Sequence, residues 1–168
     1  MFLYGKRIMK RIEMVILDTE EEYKNLYRDT FLEKELLFHD IPISFLEEDF
    51  EHIFYEPKAG GGYAFSKRRA KRMLFIVAIL VGSVQRELFY QEDRGTFAVF
   101  CPDLECVVYL RIRPRVGGVG ILQIATFFDF GRDHEKMCKK QKKKCSPVTL
   151  LELKDMLNAD DPLRGRSC

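Results

Sequence analysis

Five cations fall within six residues of the stretch FSKRRAKRMLFIVAILV (65–81): Lys67, Arg68, Arg69, Lys71 and Arg72, with no acid among them. Ser66 suits an N-cap, because its hydroxyl can accept from the free N–H groups that open a helix. Behind it, Ala70, Met73, Leu74, Val77, Leu80 and Val81 recur at the i, i+3, i+4, i+7 spacing of a buried face, widened by Ile76. The pattern predicts a core helix with a cationic entrance, ended by Gly82. Cations normally favour helix C-termini, so a basic first turn works against the dipole and suits an anionic ligand. A solvated basic turn, or pairing with the chain's own acids at 47–51, would account for the same residues. A second set lies in CVVYLRIRPR (106–115). Strand alternation puts Tyr109, Arg111 and Arg113 on one face and Val108, Leu110 and Ile112 on the other, with Arg115 in the turn that follows. Rings that stack bases beside guanidiniums that hold phosphates describe a nucleic-acid surface. An exposed strand face with solubilising arginines is the alternative.

Charge is segregated along the chain. Residues 18–56 hold 13 acids and 3 bases, 58–72 hold six bases and no acid, and 131–145 hold seven bases and two acids, although the whole chain is only +2. An acidic lobe beside basic segments suits an anionic partner at one face. The run Arg132–Lys144 reads as a basic linker that could touch phosphates without reading sequence. The five cysteines form no secreted disulfide framework. Cys101, Cys106, His134, Cys138 and Cys145 have the right types for zinc, but their gaps are wider than zinc spacings and no Cys-x2-Cys occurs. No metal and no cofactor is expected. The opening residues lack a signal-peptide pattern, and the nine-residue apolar run Met73–Val81 is too short to cross a bilayer. These features lead us to expect a soluble, cytoplasmic protein with no membrane partner.

The elements that must position these residues follow from pattern. Residues 1–5 read as a frayed start and Ile8–Leu17 as a strand. Thr19 with Glu22 forms a capping box for a helix reaching Phe38, and Ser44 with Glu47 a second box for a short helix from Phe45 to Ile53. Pro57–Gly62 is a glycine loop without either phosphate-binding glycine signature. Gln85–Gln91, Thr96–Cys101, Leu104–Arg111 and Gly120–Phe128 are β-branched or aromatic runs separated by short turns, which predicts a four-stranded antiparallel meander. Ser146-Pro147 is expected to start a last helix through Leu150, Leu153 and Leu157, with a disordered tail from Asn158. The fold class is therefore α+β, with N-terminal helices packed on one face of the meander and a C-terminal helix. The expected layout is one domain over 1–130, a basic linker over 131–145, and a helix and tail over 146–168.

This order of elements, with His52 ahead of the helix, Arg69-Ala70 at its start and Ala125-Thr126-Phe127-Phe128 on the last strand, resembles the phage- and mobile-element-associated toxins of the barnase/EndoU/colicin/RelE-like ribonuclease superfamily. The resemblance covers roughly residues 50–130. The chain differs in having Phe75-Ile76 where that family's helix carries a Trp. The resemblance implies metal-independent cleavage of RNA by 2′-OH attack, and an antitoxin or immunity protein as the matching partner class. Such cleavage needs an acid or base, cations for the phosphate, and an orienting group. His52 is the acid or base, since imidazole titrates near neutrality, and Glu56 would orient it. Arg69 and Arg72 would clamp phosphate, flanked by Lys67 and Arg68, and Thr126 would orient the substrate. The competing expectation is a non-catalytic nucleic-acid- or protein-binding domain with the same fold.

Overall fold

The β-branched and aromatic runs of the second half pair with their neighbours in sequence, and the computed structural model describes this arrangement over residues 12–114 and 119–159. Strands β5 (Glu87–Gln91), β6 (Thr96–Cys101), β7 (Cys106–Arg113) and β8 (Ile121–Asp129) are consecutive and antiparallel. They run antiparallel in the predicted order, but the sheet is not the expected four-stranded meander, because both flanks are extended. On one side stand β1 (Leu36–Phe38) and β2 (Ile41–Ser44), and on the other β9 (Ser146–Pro147), in a seven-stranded sheet ordered β1-β2-β8-β7-β6-β5-β9. The β2–β8 contact is parallel, so the sheet is mixed. The local signals for β1, β2 and β9 were misleading. Leu36–Phe38 and Ser44 fell inside helical patterns and Pro147 looked like a helix start, yet sheet edges accept short strands and proline. The fold class is α+β.

Helices cover both faces of this sheet, which corrects the one-face expectation. On one face α1 (Glu20–Tyr27), α4 (Met73–Val81) and α6 (Leu150–Ala159) bury Tyr23, Tyr27, Met73, Ile76, Ile79, Leu153 and Leu157 against Phe97, Val99, Val108, Leu110, Leu122 and Phe127. At roughly 1.5–3 kcal/mol for each large side chain removed from water, this layer dominates the fold's stability. On the other face the run expected to be a linker is helix α5 (His134–Lys142), and Cys138, with Cys145 just beyond, packs on Ala98, Phe100, Val107 and Tyr109. Cys101 and Cys106 belong to the first face's core, where burial raises both thiols.

Several helix signals resolved differently in three dimensions. Thr19 caps α1 through the expected box with Glu22, but the helix widens into a π-turn over Arg28–Leu32 and stops well short of Phe38. Ser44 and Glu47 form no capping box, since Ser44 ends β2 and α2 spans Asp49–Phe54. The glycine stretch is the turn of a separate hairpin, β3 (Tyr55–Pro57) with β4 (Tyr63–Phe65), where Gly60, Gly61 and Gly62 take the left-handed φ that other residues avoid. The basic-entrance helix is two pieces, α3 (Lys67–Ala70) and α4, joined at Lys71-Arg72. Ser66 accepts from Arg69 N, as an N-cap should, and Gly82 closes α4 at φ 78°. Residues 12–17 form no strand, and the expected start at 1–5 lies outside the described residues, as does the tail beyond Ala159. The last helix is capped by Thr149 and Glu152, which bond each other's backbone N–H groups reciprocally.

The end of α4 carries a charge arrangement with a pH consequence. Arg86 donates to the carbonyls of Ile79 and Leu80, which have no partner within the helix, and stacks over Phe38 with its guanidinium carbon 4.5 Å from the ring centre. Its other terminal nitrogen lies 2.8 Å from His39 Nε2, which must be neutral to accept. Partial burial, then the Arg86 and Lys154 charges, hold the His39 pKa below its ordinary value, against a weaker pull from Asp40. A depressed folded pKa means that the contribution is present above the ordinary histidine range and is lost as pH falls through the folded value. Because His39 is exposed, solvent screening limits the effect to a fraction of about 1 kcal/mol. Melting temperature measured from pH 7.5 to 5 should therefore fall more steeply for the native chain than for His39→Gln, which keeps a neutral acceptor.

Candidate nucleic-acid interface

The cationic entrance is neutralised from within. Glu56, on β3, accepts from Arg69 Nε at 2.9 Å and from Arg68 Nη2 at 2.6 Å. Asp129, at the end of β8, accepts from Arg68 and has Oδ2 3.0 Å from Arg72 Nη1, a contact close enough for ion pairing but without hydrogen-bond alignment. Arg69 is only 7% exposed. It also donates to the carbonyls of Ile53 and Tyr55 and lies 4.7 Å from the ring centre of Phe128. Lys67 donates to the Asp18 carbonyl at 3.3 Å. Burial alone would raise the Glu56 carboxyl, but the Ser66 hydrogen bond and the Arg69 and Arg68 charges outweigh it and hold the pKa below the usual range. Pairing with the chain's own acids thus accounts for this cluster, through Glu56 and Asp129 rather than the acids at 47–51; Glu47 is engaged by Arg28.

The second basic set is arranged differently. Register places Gln91, Thr96, Arg111, Gln123 and Ser44 opposite one another on five neighbouring strands, a polar row crossing the sheet face that also carries Tyr109. Along the row, Arg111 Nε donates to Gln123 Oε1 at 3.2 Å, and Gln123 Nε2 donates to Asp49 Oδ1 at 3.4 Å. The other Asp49 oxygen accepts from Leu46 N at 2.8 Å. Gln123 is 4% exposed and Asp49 2%. Burial raises the Asp49 carboxyl, and the Leu46 and Gln123 bonds and the Arg111 charge offset that only in part. Arg111 itself is exposed, and among the described residues only its Nε is hydrogen-bonded, so its terminal N–H fork faces outward. Across from it, Thr96 Oγ1 is shielded from solvent with no hydrogen-bond partner among the described residues.

A bulge in β8 aligns the remaining groups. Tyr109 pairs with Thr126 but Leu110 with Ile124, so Ala125 is the extra residue. Thr126 and Gln123, three apart, would otherwise point to opposite faces; the bulge brings both beside the Tyr109/Arg111 face. Helix α2 runs along this edge with a matching step. Asp49 meets Gln123, and three residues later the His52 main-chain carbonyl accepts from Thr126 Oγ1 at 3.5 Å. The exposed imidazole of His52 is therefore carried on the helix that borders the row.

Of the residues expected to act together, Thr126 and Arg111 stand on β8 and β7 with the main chain of His52 against Thr126, and Arg69 reaches the far end of β8 over Phe128. At roughly 3.4 Å per residue the span from Gln123 to Phe128 is about 17 Å, so these groups share a strand rather than a single point. Glu56, expected to orient His52, is held by Arg68 and Arg69. Tyr109 is 6% exposed beneath α5, its hydroxyl donates to Gln141 Oε1 at 3.3 Å, and burial pushes its pKa up to about 12, so its ring is not offered to a base. Arg113 is exposed at the end of β7, and Arg115 lies outside the described residues. Asp49 and Gln123 escaped sequence reasoning; the signal was a lone Gln amid the apolar run ILQIATFF. Among the described residues no group of three His, Cys, Asp or Glu side chains is arranged to hold a metal. No family model, no curated protein and no solved structure matches the chain.

Breaking the entrance network has a defined cost. Glu56→Gln leaves the buried Arg69 guanidinium without its counter-charge, which should destabilise the fold by about 3 kcal/mol in urea unfolding. The solvent-facing change Arg113→Gln should stay within about 0.5 kcal/mol.

Proposed function

We propose that the protein binds RNA, contacting the phosphate backbone through Arg111, the exposed arginine of the polar row. The observation that carries this reading is the contrast between two sets of arginines. Arg68, Arg69 and Arg72 are consumed by Glu56 and Asp129, whereas Arg111 is braced at Nε with its terminal fork turned to solvent. A guanidinium held side-on and presenting parallel donors suits a phosphate oxygen pair. Arg113 on the same strand adds charge, and Lys136 and Lys140 add more on α5, where Lys139 and Lys142 pair with Glu135 and Glu87.

A second reading, metal-independent endoribonuclease, is favoured by one feature: His52 is exposed on the helix that flanks the row, next to Thr126. In that reading His52 takes the 2′-OH proton or donates to the leaving 5′-oxygen, while Arg111 receives the charge that builds on the phosphate. An antitoxin or immunity protein would be the partner class of such an enzyme. Binding and cleavage separate in one assay. Arg111→Ala should weaken binding to a single-stranded RNA by about tenfold and lower the salt slope by about 1, the signature of one lost phosphate contact. His52→Ala should leave that affinity within about twofold and remove any cleavage, read as a 2′,3′-cyclic phosphate end. Unchanged binding by Arg111→Ala would refute the proposed surface, absence of cleavage by the native chain would refute the nuclease reading, and product formation by His52→Ala would refute the role given to His52.

A further inference from the structure

Arginine side chains on exposed strands usually sample many rotamers, and an anion must then order them at an entropic cost. Arg111 is held differently. Its Nε–H is directed at the Gln123 carbonyl oxygen, and Gln123 is itself held by its amide N–H to Asp49. Asp49 in turn is anchored by the backbone N–H of Leu46, just ahead of α2. Neither Gln123 nor Asp49 can reach solvent to trade these bonds for water, being 4% and 2% exposed. Each link also has the correct polarity: guanidinium donates to amide oxygen, amide nitrogen donates to carboxylate, and main-chain nitrogen donates to the other carboxylate oxygen. The chain runs inward from the exposed fork to a rigid element.

We propose that Gln123 and Asp49 are positioning residues that hold Arg111 with its terminal nitrogens set for a phosphate, tying that grip to helix α2 and so to His52. The part of this proposal concerning phosphate rests on the RNA-binding reading above; the brace itself does not. An amide is the residue type that the middle position requires, because it must accept from Arg111 and donate to Asp49 at once. A leucine there would fit the buried volume but supply neither group. A glutamate would accept from Arg111 while setting a second carboxylate against Asp49. The brace also gives Asp49 a reason to be a buried carboxyl, since it needs two acceptor atoms aimed at Leu46 N and Gln123 Nε2.

The test uses the full chain and two readouts. The first is the rate at which the Arg111 Nε–H proton exchanges with water by NMR, with its resonance assigned by its disappearance in Arg111→Lys. The second is affinity for a single-stranded RNA oligonucleotide across a salt series. In Gln123→Leu, Nε–H exchange should accelerate at least tenfold, and RNA affinity should fall about threefold, less than in Arg111→Ala, with the salt slope unchanged because the charge remains. Arg111→Lys should show the same loss at the same slope, since lysine keeps the charge but not the fork. Asp49→Asn provides a milder break should Gln123→Leu fail to fold; it should accelerate the exchange by a smaller factor and weaken RNA binding less. The proposal is overturned if a folded Gln123→Leu or Asp49→Asn protein keeps wild-type Nε–H exchange, or if faster exchange leaves RNA affinity unchanged. A native chain that binds no RNA refutes the RNA reading alone, and the exchange data then decide the brace.

Discussion

The ion-pair network around Glu56 and Asp129 is the interaction on which the arrangement depends. It fastens three elements that are not neighbours in the sheet. Glu56 belongs to the β3–β4 hairpin, Arg68 and Arg69 to the short helix α3, and Asp129 to the end of β8. Buried ion pairs contribute little net stability against apolar isosteres, but removing one partner is costly because the other is left uncompensated. Its role is better described as specification. With Arg69 also bonded to two carbonyls and stacked on Phe128, the α3 turn has one place to sit. Helix α4 enters the core from that point, and the direction of its apolar face follows.

The same network changes the meaning of the charge pattern. Six bases without an acid at 58–72 look like a ligand site when the chain is read as a line. Folding brings carboxylates from twelve residues upstream and from some sixty residues downstream onto those bases. The site-like set moves to β7, where Arg111 keeps its charge in solvent while buried groups hold its stem. Charge neutralised internally leaves less for a partner, and charge braced at a surface is ready for one.

Helix α2 connects the two regions. Asp49 meets the polar row near its start, His52 touches β8 through its carbonyl, and the chain passes directly into the hairpin that bears Glu56. Any displacement of α2 along β8 therefore acts on both the row and the entrance network. The parallel β2–β8 contact lasts for only two residue pairs, and the helix takes over that strand's edge beyond it. This covers backbone groups that an open edge would expose.

Local pattern alone determined the α+β class, the four central strands, the Thr19–Glu22 box, the Ser66 cap and the Gly82 stop. Each of these is decided within a few residues, by side-chain alternation or by a hydroxyl reaching a nearby N–H. It likewise marked Arg111 and Arg113 as sharing a strand face, because strand period is a local property. The flanking strands were hidden, since three-residue strands carry too little period to outvote a helical reading of 19–38. The linker reading of 131–145 failed because a lysine-rich helix shows its few apolar contacts, Cys138 among them, only once there is a sheet face to receive them. Tertiary structure also decided which charges are free. The bulge at Ala125, the burial of Asp49 and the meeting of Arg69 with Glu56 all depend on contacts between elements, and spacing along the chain does not encode them.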